Sequence, residues 1–201
     1  MGRKKADSDR GLDRRAIDAA VNIVEKYGME SLTVRAVGEK IGTSHVALYR
    51  HFENKHALLA AIAEEGFRLM RDRLIATLAV APDGVTAFES TGRVYFEFSR
   101  THRGYFLVMY SRELADRRTF PALATASAAN LRLVLDSIGR GQRDGTIVRR
   151  NALGLAIAGW SLMHGLASLG IEGQLADAGM RIEQALDTVL ALLRDGLIPR
   201  K

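Results

Sequence analysis

Between Leu32 and Phe52 the residues LTVRAVGEKIGTSHVALYRHF admit little besides two short helices joined by a tight turn. Thr33 offers a hydroxyl N-cap to a helix over Val34 to about Ile41. Gly42 then breaks that helix, as glycine does where the chain must leave helical geometry. Thr43 or Ser44 caps a second helix running to about Phe52. In that second helix Ala47, Leu48 and Phe52 can face inward, while Ser44, His45, Tyr49 and His51 stay outside or at the edge. A helix, a glycine turn and a short amphipathic helix is the pattern that lays a second helix into the major groove of DNA. The same pattern also serves as plain packing, so by itself it leaves both readings open.

The remaining punctuation is helical as well. Leu12, Ala16, Ala20, Val21, Val24 and Tyr27 form one apolar stripe on a first helix. Asn54 caps a long fourth helix through Leu58, Leu59, Ile62, Phe67 and Met70 to about Val80. Pro82-Asp83-Gly84 marks a loop. Further helices are expected at about 84–100, 103–112, 120–140, 150–171 and 175–196. The string from Gly139 to Gly145 reads as a helix stop and turn; no strand precedes it, so it is not a dinucleotide-binding loop. With only 3 prolines in 201 residues, the expectation is an all-α chain of about nine helices.

Several classes of chemistry fall away. No cysteine is present, so there is no disulfide framework, thiolate nucleophile or cysteine metal site, which fits a reducing cytoplasm. The start MGRKKADSDR is too polar for a signal peptide, and Ala6 fails the N-myristoylation pattern. H-E-x-x-H, nucleophile-elbow and Walker motifs are missing; no catalytic residue, metal or cofactor is expected. A small helical enzyme, or a ligand-binding protein without DNA binding, is the rival; hydrolysis would require His102 or His164 to meet a serine in space. The formal net charge of +6, denser in the first 55 residues, is a mild hint of an anionic partner. Arg3-Lys4-Lys5 is either an arm on DNA phosphates or a solvated terminus.

Residues 152–171, ALGLAIAGWSLMHGLASLGI, are uncharged and long enough to cross a membrane. Their spacing favours a buried helix instead. Gly154, Ala158, Ser161, Gly165 and Ser168 make a stripe of small residues suited to a partner helix. Leu153, Ile157, Trp160, His164, Ala167 and Ile171 make a bulkier stripe for the domain interior. Ile182, Ala185, Leu186, Val189 and Leu193 line the last helix. Two such helices from each of two chains would build a four-helix homodimer interface, with Gly154, Ala158, Ser161, Gly165, Ser168, Ile182, Leu186, Val189 and Leu193 at its seam. Tyr95, Phe96, Tyr105, Phe106, Met109 and Tyr110 supply the lining of a small-molecule pocket, or simply core.

From Arg15 to Phe67, and above all in LTVRAVGEKIGTSHVALYRHFENKHALL, the chain resembles the N-terminal DNA-binding domain of the tetracycline-repressor (TetR) family. Thr33, Gly42, Leu48-Tyr49, Phe52, Lys55 and Leu58-Leu59 carry the likeness. Gly38 departs from it, standing where members usually have alanine. Trp160-x-x-x-His164-Gly165 resembles, over a short stretch, the WHG-type ligand-sensing domain of one TetR subgroup, which adds Trp160 and His164 to the expected pocket. The resemblance implies a basic tail over 1–10, a helix-turn-helix domain over 11–55 and a sensing and dimerisation domain over 56–201. Thr43, Ser44 and His45 would read base edges; Thr33, Tyr49, His51 and Lys55 would hold phosphates, with Arg35, Val46 and Arg50 completing the set. The function implied is a cytoplasmic, homodimeric transcriptional regulator on double-stranded operator DNA, a repressor released by an unknown small-molecule effector, with no membrane partner.

Overall fold

The computed structural model describes residues 2–198, with side chains described from Gly11 onward, so the side chains of Arg3-Lys4-Lys5 lie outside it. The described residues form ten α-helices and no strand. The helices are α1 (Gly2–Tyr27), α2 (Val34–Ile41), α3 (His45–Tyr49), α4 (Lys55–Leu78), α5 (Gly84–Thr101), α6 (Arg103–Met109), α7 (Pro121–Asp144), α8 (Ala152–Ile171), α9 (Gln174–Asp177) and α10 (Ile182–Leu197). They fall into two compact units, Met1–Phe67 with His102–Thr125, and Arg68–Thr101 with Ala126–Lys201. α4 contributes to both units, and α6 belongs to the first.

The first unit is built on α1, whose stripe Ala16, Ala20 and Val24 is wholly buried against α2 and α6. Leu32, Val37, Leu48, Leu58, Leu59 and Ile62 complete a core with no solvent access or nearly none. At about 1.5–3 kcal/mol per fully buried aliphatic side chain, this core is what holds the short α2 and α3 in place. Neither is long enough to persist alone in water.

In the second unit α5 packs against both α8 and α10. Val85, Phe88, Ile138, Ile147, Ala156 and Leu197 form its apolar centre. Three ion pairs run along the α5–α10 seam: Glu89 with Arg194, Arg93 with Asp187 at 3.2 Å, and Arg100 with Glu183 at 3.7 Å. The latter two are largely exposed and set register more than stability, whereas Glu89 is mostly buried. The start of α5 is tied down by carboxylates. Asp83 accepts from the Thr86 N–H at 2.8 Å and Asp144 from the Gly84 N–H at 2.8 Å. Both carboxyls are held below their ordinary range, Asp83 by its bonds from Thr86 and Asp144 by those from Thr146.

Four expectations change. Residues 139–144 are not a turn but the last turns of α7, and the chain reverses only at Gly145, with φ 79°. The reason is packing: a Cβ on Gly84 would lie 2.0 Å from the Gly141 nitrogen, so Gly84 lets α5 touch the α7 backbone, while the missing Cβ of Gly141 makes room for Ile147. The helix expected over 175–196 is two, because Gly173 and Gly179 both take positive φ and bracket the short α9. That raises the count from about nine to ten. α3 ends at Tyr49 rather than near Phe52. Finally, the bulky stripe of α8 faces the interior only in part: Ala167 is buried, with Ala156, Gly159, Met163 and Leu166 from outside the stripe, His164 and Ile171 are half-buried, and Leu153, Ile157 and Trp160 are about half exposed.

Candidate nucleic-acid interface

The turn before α3 is fixed by backbone chemistry. Gly42 sits at φ 67°, ψ 35°, and its N–H reaches the Glu39 carbonyl at 3.3 Å. The Thr43 N–H reaches the Gly38 carbonyl at 2.9 Å. Those paired bonds are a Schellman stop, which closes α2 and aims the chain into α3. Gly38 lies under this turn: a Cβ there would stand 3.1 Å from the Thr43 carbonyl oxygen.

α2, α3 and α4 are each capped by a side chain in the expected place. Thr33 Oγ1 accepts from the Ala36 N–H at 3.0 Å, Ser44 Oγ from Ala47 at 3.1 Å, and Asn54 Oδ1 from Ala57 at 2.9 Å. Ser44, not Thr43, caps α3. Such a cap contributes about 1 kcal/mol. Leu48 is fully buried beneath α3, while Val46 and Tyr49 are about half exposed above it. His45 meets Tyr49 edge to face, ring centroids 6.4 Å apart.

Arg35, Glu39, Thr43, Ser44, His45 and Tyr49 line one open concavity between α2 and α3. Arg35 Nε donates to Glu39 at 2.9 Å across one turn of α2. Glu39 was not foreseen as part of this surface, although its position four residues after Arg35 was the available signal. Arg50 is exposed beside α3.

Two expected phosphate ligands carry acidic partners instead of standing open. His51 Nδ1 lies 2.7 Å from Asp13 of α1, and Lys55 Nζ lies 3.1 Å from Glu113. No sequence signal links those carboxylates to the head, since both arrive by tertiary packing.

The expected pocket lining divides between the units. Tyr105, Phe106 and Met109 are buried in the first, with Tyr110 half-buried. Burial pushes the Tyr105 phenol up. Tyr95, Phe96, Trp160 and His164 belong to the second. There Trp160 Nε1 donates to the Tyr95 hydroxyl at 3.2 Å, and that hydroxyl lies 2.6 Å from His164 Nδ1. Burial holds the His164 imidazole below its ordinary range, which favours the neutral ring with Nδ1 accepting from Tyr95. Among the described residues no group of three or more His, Asp or Glu is placed to hold a metal ion.

This histidine gives a pH prediction. Its folded value lies below its unfolded value of about 6.5, so on acidification the unfolded chain takes the proton first. The stabilising neutral state is complete above about pH 6.5 and is lost as pH falls below it. The melting temperature of wild type should therefore drop more steeply between about pH 7.5 and 5.5 than that of His164→Gln. Parallel curves for the two proteins would refute the assignment.

The expected interface residues are also divided. Gly154, Ala158, Ser161 and Gly165 are exposed and Ser168 half-buried, on the same side as exposed Leu162 and Leu169. On α10, Leu186 is buried within its own unit, and Ile182, Val189 and Leu193 are half-buried. Leu186 packs with Ala185 and Leu190 on the buried face of α10 and so is not a surface residue, while the neighbouring Leu192 is 63% exposed. α8 is the one helix among the described residues long and apolar enough to cross a membrane, and under a third of its most apolar stretch is buried.

Comparison with known proteins places this geometry. The family model described as bacterial regulatory proteins, tetR family, matches residues 16–62. A second, the Tetracyclin repressor-like C-terminal domain, matches residues 88–193, more than half of the chain. The chain belongs to the TetR family. Its C-terminal match carries no separate support for the WHG-type reading of Trp160 and His164. The Escherichia coli tetracycline repressor protein class C is 48% identical over 54 residues, 26% of this chain and 25% of that protein. The chain thus aligns with only about a quarter of the length of that TetR repressor. Over most of its length it is similar to a Rhodococcus protein of unknown function, with TM-score 0.81, 26% identity and coverage of 94% and 96% of the two chains. A second Rhodococcus structure, a bacterial regulatory protein in the TetR family, aligns with TM-score 0.76 at 18% identity over 94% and 98%.

Proposed function

We propose that this protein is a sequence-specific DNA-binding transcriptional regulator that works as a homodimer, without catalytic activity, in the cytoplasm. The observation that carries the reading is α3: a five-residue helix capped by Ser44 and pinned by buried Leu48, presenting His45, Val46 and Tyr49 outward beside Arg35. Such an arrangement sacrifices the burial of three large side chains, which is reasonable where a base edge or a phosphate covers them. Thr43, Ser44 and His45 enter the groove first, and Thr33, Tyr49 and Arg50 flank it.

The exposed side of α8, with Ala158, Ser161, Leu162, Gly165 and Leu169, is the proposed dimer face. Small residues let a symmetry-related helix approach closely, and Ser161 and the interspersed glycines suit that role better than contact with lipid. Two heads about 34–36 Å apart would then meet successive turns of DNA. Repression, with release by a small apolar effector, is the regulatory sense proposed; a coupling of about 1–3 kcal/mol would lower operator occupancy several-fold or more.

The test is selection of genomic fragments by the purified full-length chain, followed by sequencing. A shared, two-fold symmetric motif is the expected result, and neighbouring genes would indicate the effector. Enrichment indistinguishable from input DNA would overturn the reading.

A further inference from the structure

Resting on the DNA-binding reading above, we propose that Glu113 is a built-in competitor of the DNA backbone: it occupies the Lys55 ammonium that a phosphate would otherwise take. Lys55 is the first residue of α4, immediately after the reading head, where the helix N-terminus itself attracts anions. Its Nζ lies 3.1 Å from Glu113 Oε1, a contact between residues 58 positions apart in sequence. Each side chain keeps about a third of its surface exposed, so the pair is accessible to an incoming phosphate.

Glu113 is held in place by its own segment. It lies in the short 3-10 turn Arg112–Leu114 that follows α6, and Leu114 is 2% exposed. Downstream, the Arg117 guanidinium sits 4.9 Å over the Phe67 ring and 5.6 Å over Tyr110, and Arg117 Nη2 donates to the Met109 carbonyl at 2.7 Å. Buried leucine on one side and a stacked arginine on the other fix the turn that presents the carboxylate. The carboxylate takes the one ammonium that an approaching phosphate would otherwise receive.

A half-exposed ion pair is weak, so Glu113 tunes affinity rather than locking the head. Removing its charge should tighten DNA binding up to about fivefold per head. It should also steepen the dependence of log affinity on log salt by up to about 0.9 per chain, as the contact that Glu113 partly withholds from the phosphate is released in full. Lys55 contacts backbone rather than bases, so the effect needs no particular sequence.

The probe is therefore a mixed-sequence duplex of about 30 base pairs, followed by fluorescence anisotropy between about 50 and 200 mM salt. Wild type, Glu113→Gln, Glu113→Ala, Lys55→Met and the Lys55→Met/Glu113→Gln double variant are compared, each checked for an unchanged circular-dichroism melt. Both Glu113 variants should bind more tightly with a steeper slope, Lys55→Met more weakly, and the double variant like Lys55→Met alone. Wild-type affinity and slope in both Glu113 variants would overturn the inference while leaving DNA binding intact. So would a double variant tighter than Lys55→Met, because the gain would then not pass through Lys55. A wild-type chain that fails to bind the duplex at about 50 mM salt would defeat the DNA-binding reading itself, and this inference with it.

Discussion

Gly84→Ala should lower the melting temperature by roughly 6–12 °C, the largest effect expected of any single methyl added to this protein. The new Cβ would stand 2.0 Å from the Gly141 nitrogen, 2.1 Å from its Cα and 2.8 Å from the Arg140 carbonyl carbon. None of these is the end of a flexible side chain, so α5 and α7 must separate. Separation breaks the Gly84–Asp144 bond and opens the cluster of Val85, Phe88, Ile138 and Ile147 just beyond it. Overpacking usually costs about 1–3 kcal/mol, and a clash with backbone atoms that cannot move aside places this one at about 3 kcal/mol. Gly11→Ala is the control, since nothing lies within 4 Å of a Cβ there and helix propensity improves. Thermal unfolding decides the matter; a Gly84→Ala protein that melts with wild type would mean that the α5–α7 crossing is wrong.

The second large effect separates the two faces of α3. Leu48→Ala removes a side chain with no solvent access and should cost about 2–5 kcal/mol, enough to loosen the head and abolish DNA binding. Tyr49→Ala, one residue on, removes a side chain that is half exposed and should change stability by no more than about 0.5 kcal/mol. Its binding to selected genomic fragments should nevertheless fall by tenfold or more, losing a phosphate contact together with the ring that braces His45. Chemical unfolding and an anisotropy titration on the same preparations test both statements. If Tyr49→Ala binds as wild type does, α3 is a packing helix and not a reading head.

The reading head was the most legible part of the sequence because its determinants are local. Caps, a glycine stop and a three-residue apolar anchor act over at most four residues, and Thr33, Gly42, Ser44, Leu48 and Asn54 all do in the structure what their spacing implies. What escaped was set by contacts distant in sequence. Gly141 looks like part of a stop until Gly84 is known to cross it. His51 and Lys55 look open until Asp13 and Glu113 arrive from α1 and the turn after α6. On α8 the small stripe stays exposed as its spacing implies, but the bulky stripe is only partly buried, because a helix apolar all round carries no polar side to orient it.

A five-residue helix cannot hold its own shape, and here Gly42, the Ser44 hydroxyl and Leu48, set in the core around it, supply the scaffolding. The outward positions 45, 46, 49 and 50 therefore contribute almost nothing to folding. Their letters can be rewritten singly without endangering the protein, so a duplicated copy of this gene could acquire a new DNA target in a few steps. The proposed reading positions 45, 46, 49 and 50 are thus largely uncoupled from folding, whereas Ser44 and Thr33 each combine a helix cap with a proposed DNA contact.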